Sequence, residues 1–149
     1  MGLNHWAMFE GVARAVPDRT AISWRGRHLT YGQMRDRALR LANLLVANGV
    51  GTVRPRSGLE GWESGQDHVG LYLHNGPEYL EATMGANAAR AVPFNVNYRY
   101  VEAELVYLLD DADTAVLVYH ATFAPTVASV LPRLARRPLR PSPSPTSMT

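Results

Sequence analysis

A chain of 149 residues, 46% of them apolar, can hold one domain with a real core. Its formal charge of +2 misleads: up to Pro132 eleven arginines face thirteen carboxylates, while Arg133, Arg136, Arg137 and Arg140 follow with no acidic partner, so a nucleic-acid partner has little support. Zero cysteines exclude disulfides and thiolate metal sites, no run approaches the roughly eighteen apolar residues of a membrane span, and Met1–His5 lacks the basic flank and apolar core of a secretory signal. A cytoplasmic protein is the default. All fifteen cations are arginine; there is no lysine.

Phe9, Val12, Ala13 and Val16 repeat at i, i+3, i+4, i+7 and Pro17 ends the run, which predicts an amphipathic helix over 4–16. Ala21–Trp24 and His28–Leu29 flank Arg25-Gly26-Arg27 as a short hairpin. Thr30-Tyr31-Gly32-Gln33 fits a capping box, in which the Thr hydroxyl and the Gln side chain satisfy two orphan N–H groups. The helix it opens places Met34, Ala38, Leu41 and Leu45 on one face and Arg35, Arg37 and Arg40 largely on the other; Gly49 and Gly51 close it. Residues 50–66 are rich in glycine and polar groups. A loop that long is functional or mobile, and its composition favours mobile.

From Asp67 to Tyr119 the chain alternates strand and helix with almost no spare connection. Val69, Leu71 and Leu73 share one face of a first strand, because side chains alternate along a strand. Asn75-Gly76-Pro77-Glu78 starts a helix, since proline suits a first helical position and Glu78 and Glu81 complement the dipole. Leu80, Met84 and Ala88 follow at helical spacing as its apolar line. Ala91–Val96 is a second strand, Leu105, Leu108, Leu109 and Ala112 mark a further helix, and Thr114–Tyr119 is a nearly continuous apolar run. Strands that apolar are usually covered on both faces, as in a parallel sheet joined by right-handed crossovers. The fold class is therefore α/β.

Ala121–Leu131 is helix-like, with Phe123, Val127, Val130 and Leu131 as apolar contacts. Beyond Pro132 proline recurs every few positions without periodicity, so residues 133–149 read as a disordered Pro/Ser/Arg-rich tail that cannot offset its ordering entropy. Residues 1–132 form the folded unit.

Several segments in order resemble one family. Pro17-Asp18-Arg19-Thr20-Ala21, then Leu29-Thr30-Tyr31-Gly32-Gln33-Met34, resemble the "P-D-R-x-A" and "L-T-Y-x-E-L" segments near the start of AMP-forming acyl-CoA synthetases. Asp67–Leu73 followed by Asn75-Gly76-Pro77-Glu78-Tyr79 resembles the family's "V-A-I-x-L-x-N-x-x-E-Y/F", and Ala89–Arg99 resembles "G-A-V-x-x-P-L-N-x-R". Glu104-Leu105 and the strand Ala115–Tyr119 continue the match. The wording Asn95-Val96-Asn97-Tyr98-Arg99-Tyr100-Val101 is most similar to FadD-type fatty-acyl and steroid-side-chain CoA ligases. The likeness covers residues 5 to about 134. It implies a partial N-terminal subdomain of an adenylate-forming enzyme: a mostly parallel sheet, flanking helices and a small β-hairpin.

What the family does is ligate a carboxylic acid to coenzyme A. ATP and the acid give an acyl-adenylate and pyrophosphate, and the CoA thiol then displaces AMP. The resemblance implies ATP, magnesium and CoA as cofactors of full-length members, and fatty or other carboxylic acids as partners. Two departures stand out. Val101 occupies a position where many relatives have a Thr N-cap, a loss of about 1 kcal/mol. More seriously, the family's phosphate loop with its lysine, its magnesium- and ribose-binding acids and its second lysine lie beyond the matched stretch. Ser142–Thr149, the one Ser/Thr-rich run, has no glycine. The expectation is a first quarter of an acyl-CoA ligase followed by an unrelated tail such as a frameshift would give, with no cofactor bound and no catalytic, cofactor-binding or metal residue of its own.

Other chemistry is thin. His5, His28, His68, His74 and His120 show no H-E-x-x-H or paired spacing, and Asp110, Asp111 and Asp113 read as a solvated cluster at a helix C-terminus. Gly49-Val50-Gly51 lacks the strand–glycine–helix context of a dinucleotide loop, and no G-x-S-x-G elbow is present. Asn97 and Arg99 read as a turn and a packing contact. Glu102 and Glu104 read as exposed helix residues, Trp6, Trp24 and Trp62 as core or loop aromatics, and Tyr72 or Phe94 as weak candidates for acyl-chain contact. The alternatives to the ligase reading are a non-catalytic interaction module, a subunit completed by another chain, and a small-molecule binder at the strand C-termini. A lone chain would self-associate through an uncovered sheet edge.

Overall fold

The computed structural model describes residues 4–135 and 139–143. Helix α1 (His5–Ala15) is capped by the Asn4 side chain, which accepts from the Ala7 N–H at 2.8 Å. Strands β1 (Thr20–Trp24) and β2 (Arg27–Thr30) form the expected antiparallel hairpin. Its two-residue turn puts Arg25 at φ 48° and Gly26 at φ 78°, the left-handed pair that matches strand twist. The Thr30 box is present: Gln33 N–H donates to Thr30 Oγ1 and Thr30 N–H to Gln33 Oε1, at 3.2 and 3.0 Å. Helix α2 (Tyr31–Ala47) follows, burying Met34, Ala38, Ala42 and Leu45.

The main sheet contains β3 (His68–Tyr72), β4 (Val92–Asn95), β5 (Thr114–Tyr119) and β6 (Leu139–Pro143) in the spatial order β4-β3-β5-β6, every pair parallel. The connecting helices are α3 (Pro77–Ala88), α4 (Glu102–Asp111) and α5 (Ala124–Val130). Alternation along the strands divides the core in two. Val69 and Leu71 of β3 and Val116 and Val118 of β5 face α2 and α3; Tyr72 and Leu117 face α4 and α5 with Leu105, Leu109, Val127 and Val130.

Two expectations need correction. The line Leu80, Met84, Ala88 is not the buried side of α3. Leu80 is 44% exposed, and the helix buries Ala82, Gly85, Ala86 and the carboxylate-bearing Glu81. The cause is close approach: a Cβ on Gly85 would stand 2.9 Å from Leu41 Cδ2 and 3.0 Å from the Ala38 carbonyl oxygen. Glu81 tolerates burial because Arg37 of α2 donates to it. The second concerns the tail. Leu139–Pro143 pairs beside β5, and prolines are acceptable there because an outer strand can spare an N–H. Residues 136–138 and 144–149 lie outside the described residues, as do those parts of the tail reading.

The 50–66 loop is bonded to itself. Val53 and Gln66 form an isolated bridge. Arg54 donates to the Ser64 carbonyl, and Arg56 to those of Glu63 and Gly61, at 2.9 to 3.0 Å. The Asp67 carboxylate receives the Gly51 and Thr52 N–H groups at 2.8 and 3.0 Å. Gly51, at φ 116°, leaves only 2.6 Å between a would-be Cβ and the Ala89 carbonyl oxygen, so this turn requires glycine. Trp62 is a loop aromatic, 84% exposed.

Candidate functional site

Strand order decides where a ligand could sit. From β3 the chain leaves through α3 to β4 on one side, whereas from β5 it leaves through α5 to β6 on the other. Between the carboxyl ends of β3 and β5 the winding reverses, and open α/β sheets bind ligands at such points. Residues that follow the strands gather there: His74 and Asn75 after β3, Asn97, Tyr98 and Arg99 after β4, and His120 after β5.

Aromatic rings fill the space between them. Phe123, in the turn Ala121–Phe123 that follows β5, stacks on Tyr72 with ring centres 4.2 Å apart. His74 lies 5.1 Å from His120, 4.8 Å from Phe123 and 5.3 Å from Tyr98. The Tyr72 hydroxyl donates to the Tyr100 carbonyl at 3.4 Å, and burial pushes its pKa above the usual 10.0. The β1–β2 turn leans over this end of the sheet, so that Trp24 and Arg25 face His74, Gly76, Glu78 and His120 across a cleft of about 250 Å³. A second opening of about 370 Å³ is bordered by Asn75, Asn95, Asn97, Tyr98 and Arg99.

Asn97 makes the expected turn: its Oδ1 accepts from the Arg99 N–H at 3.0 Å and its carbonyl from the Tyr100 N–H at 3.0 Å. Arg99 is exposed, with its guanidinium 5.5 Å from the Tyr98 ring centre. Tyr72 is buried inside the sheet. Val101 has no side-chain cap, yet Glu104 accepts from the Val101 N–H at 3.0 Å and so keeps half of the box. Glu102 accepts from Ser129 Oγ and pairs with Arg133. Asp110 receives the Ala135 N–H at 3.0 Å. No group of three or more His or acidic side chains suited to a metal occurs among the described residues.

His74 and His120 escape a sequence reading because they belong to different strands. The pairing Tyr72↔Tyr119 is what brings them together. The available signal was a histidine just beyond the end of each of two apolar strands.

The fold and this crevice define an open, doubly wound α/β domain with a topological switch point between β3 and β5. The family described as AMP-binding enzyme matches residues 9–143, and the chain belongs to it. It is 51% identical over 130 residues to the medium-chain acyl-CoA ligase Mig of Mycobacterium avium, covering 87% of this chain and 24% of that protein. Against a medium/long-chain-fatty-acid–CoA/3-oxocholest-4-en-26-oate–CoA ligase of Mycobacterium marinum it is 40% identical over 132 residues, 89% of this chain and 22% of the other. The N-terminal domain of FACL13 from Mycobacterium tuberculosis superposes with a TM-score of 0.74 at 26% identity, covering 92% of this chain and 32% of that one. The chain thus spans about a quarter of the length of these curated relatives.

Proposed function

We propose that these 149 residues supply part of a cytoplasmic acyl-CoA ligase acting on a fatty or steroid-side-chain carboxylic acid, and that they do not catalyse adenylation by themselves. The first half is supported by the family match and by the two ligases above. In the proposed reaction the carboxylate attacks the α-phosphorus of ATP and pyrophosphate leaves; the CoA thiol then attacks the acyl carbon and AMP leaves. The second half rests on one observation: the 149 residues include no lysine. Charge developing on a transferring phosphoryl group needs preorganised cations or a metal. The crevice offers Arg25, Arg99 and two imidazoles, with Glu78 as its one carboxylate. That set does not fit magnesium with a triphosphate, and no step is assigned to either.

A subunit completed by another chain is a second reading, favoured by the exposure of Val101, at the N-cap of α4, at 63% and of Tyr107, within α4, at 71%. The sheet edge is a weaker route to association. Val92 and Val96 donate towards β3, so the alternate positions Pro93 and Asn95 face outwards, and Pro93 has no N–H to offer.

Acid-dependent ATP–pyrophosphate exchange by the purified chain tests the proposal. The expected rate is that of a buffer control with octanoate or a steroid acid. Exchange that rises with either acid overturns the claim of inactivity.

A further inference from the structure

We propose that His120 is a pH-operated latch on the turn Ala121–Phe123, beside the crevice between β3 and β5. The inference does not rest on the ligase reading. The turn Ala121–Phe123 is capped by an imidazole: His120 Nδ1 accepts the Thr122 N–H at 3.2 Å and lies 2.9 Å from Thr122 Oγ1. Short polar side chains usually fill such a role, and Asn, Asp, Ser and Thr stay acceptors throughout the neutral range. An imidazole does not. Nδ1 accepts only while it carries no proton, and histidine is the side chain that changes charge near neutrality.

Protonation leaves the Thr122 N–H without its acceptor, and the imidazolium keeps only Thr122 Oγ1. The cap is therefore present at higher pH and lost as pH falls. The titratable and charged groups that face His120 are His74, 5.1 Å away, and Arg25 and Glu78 of the same cleft. Arg99 lies over Tyr98, on the far side of His74. What the cap holds is Phe123, whose ring stacks on Tyr72 at 4.2 Å and touches His74. Losing the cap leaves the turn with the Phe123 N–H bond to the His120 carbonyl at 2.9 Å and loosens the seat of this ring on Tyr72.

Amide hydrogen exchange at Thr122 and Phe123 in the full chain tests the latch. After correction for intrinsic rates, exchange at pH 5.5 is expected to be about fivefold faster than at pH 7.5, the factor carried by one cap of typical worth. His120→Asn keeps an acceptor without a titrating ring, so its corrected rates should match at the two pH values. His74→Gln should retain the pH response. Equal corrected rates in the wild-type chain overturn the proposal, as does an undiminished pH response in His120→Asn.

Discussion

On one face of the sheet α2 and α3 meet through Ala38, Ala42, Ala82, Gly85 and Ala86, whereas on the other α4 and α5 reach β3 and β5 with leucine, valine and aromatic side chains. The first face is closed by backbones in near contact, the second by large side chains interdigitating. The difference teaches where each face is vulnerable. Small-to-large changes damage the first, because nothing there can give way. Large-to-small changes damage the second, because they leave a void.

The largest expected effect lies on the side-chain face. Leu105 is fully buried, and Leu105→Ala should lower stability by about 3 kcal/mol in urea unfolding, within the range for buried leucines. A loss below about 1 kcal/mol would mean that α4 can collapse onto the sheet. On the backbone face the Arg37–Glu81 pair is asymmetric, with Arg37 38% exposed and Glu81 at 7% by side chain. Arg37→Ala strands a buried carboxylate and should cost about 2 kcal/mol, while Glu81→Ala leaves an arginine free to turn to water and should cost about half as much. Equal costs in the same unfolding assay would break this account of the helix pair. Gly85→Val drives a branched side chain into Leu41 and the Ala38 carbonyl; about 2 kcal/mol is expected from overpacking, with Ala86→Gly as a milder control.

The smallest effect sharpens the role of α1, which leans on α2 through Glu10. Hydrogen bonds from Arg35 and then Arg14 hold the Glu10 carboxyl below its usual 4.5. A depressed folded value stabilises the protein above 4.5, and that contribution is lost as pH falls through the lower folded value. Trp6 reports on this, since its ring lies 5.7 Å from Phe9 on the same helix. Its fluorescence should shift in acid before global unfolding, and Glu10→Gln should remove the early step.

Much of this was legible in residues. The alternation of Val69, Leu71 and Leu73, the Thr30 box and the hairpin around Arg25-Gly26-Arg27 each follow from local rules, and the structure has all three, with Arg27 drawn into β2. The face of α3 was not legible, because alanine and glycine carry little hydrophobic signal while Leu80 carries much and sits at the rim. Nor does composition reveal that Arg54 and Arg56 direct their guanidinium groups at the loop's own carbonyls. The crevice was half legible. Its strands could be assigned, but the neighbours that make His74 and His120 a pair are set by sheet order, which no single segment encodes.

The claim that these residues carry the fold without the phosphate-handling groups is tested most directly by titrating magnesium-ATP into the purified chain in a calorimeter. The account predicts no saturable heat up to millimolar nucleotide. Saturable one-to-one binding well below a millimolar, dependent on magnesium, would contradict it.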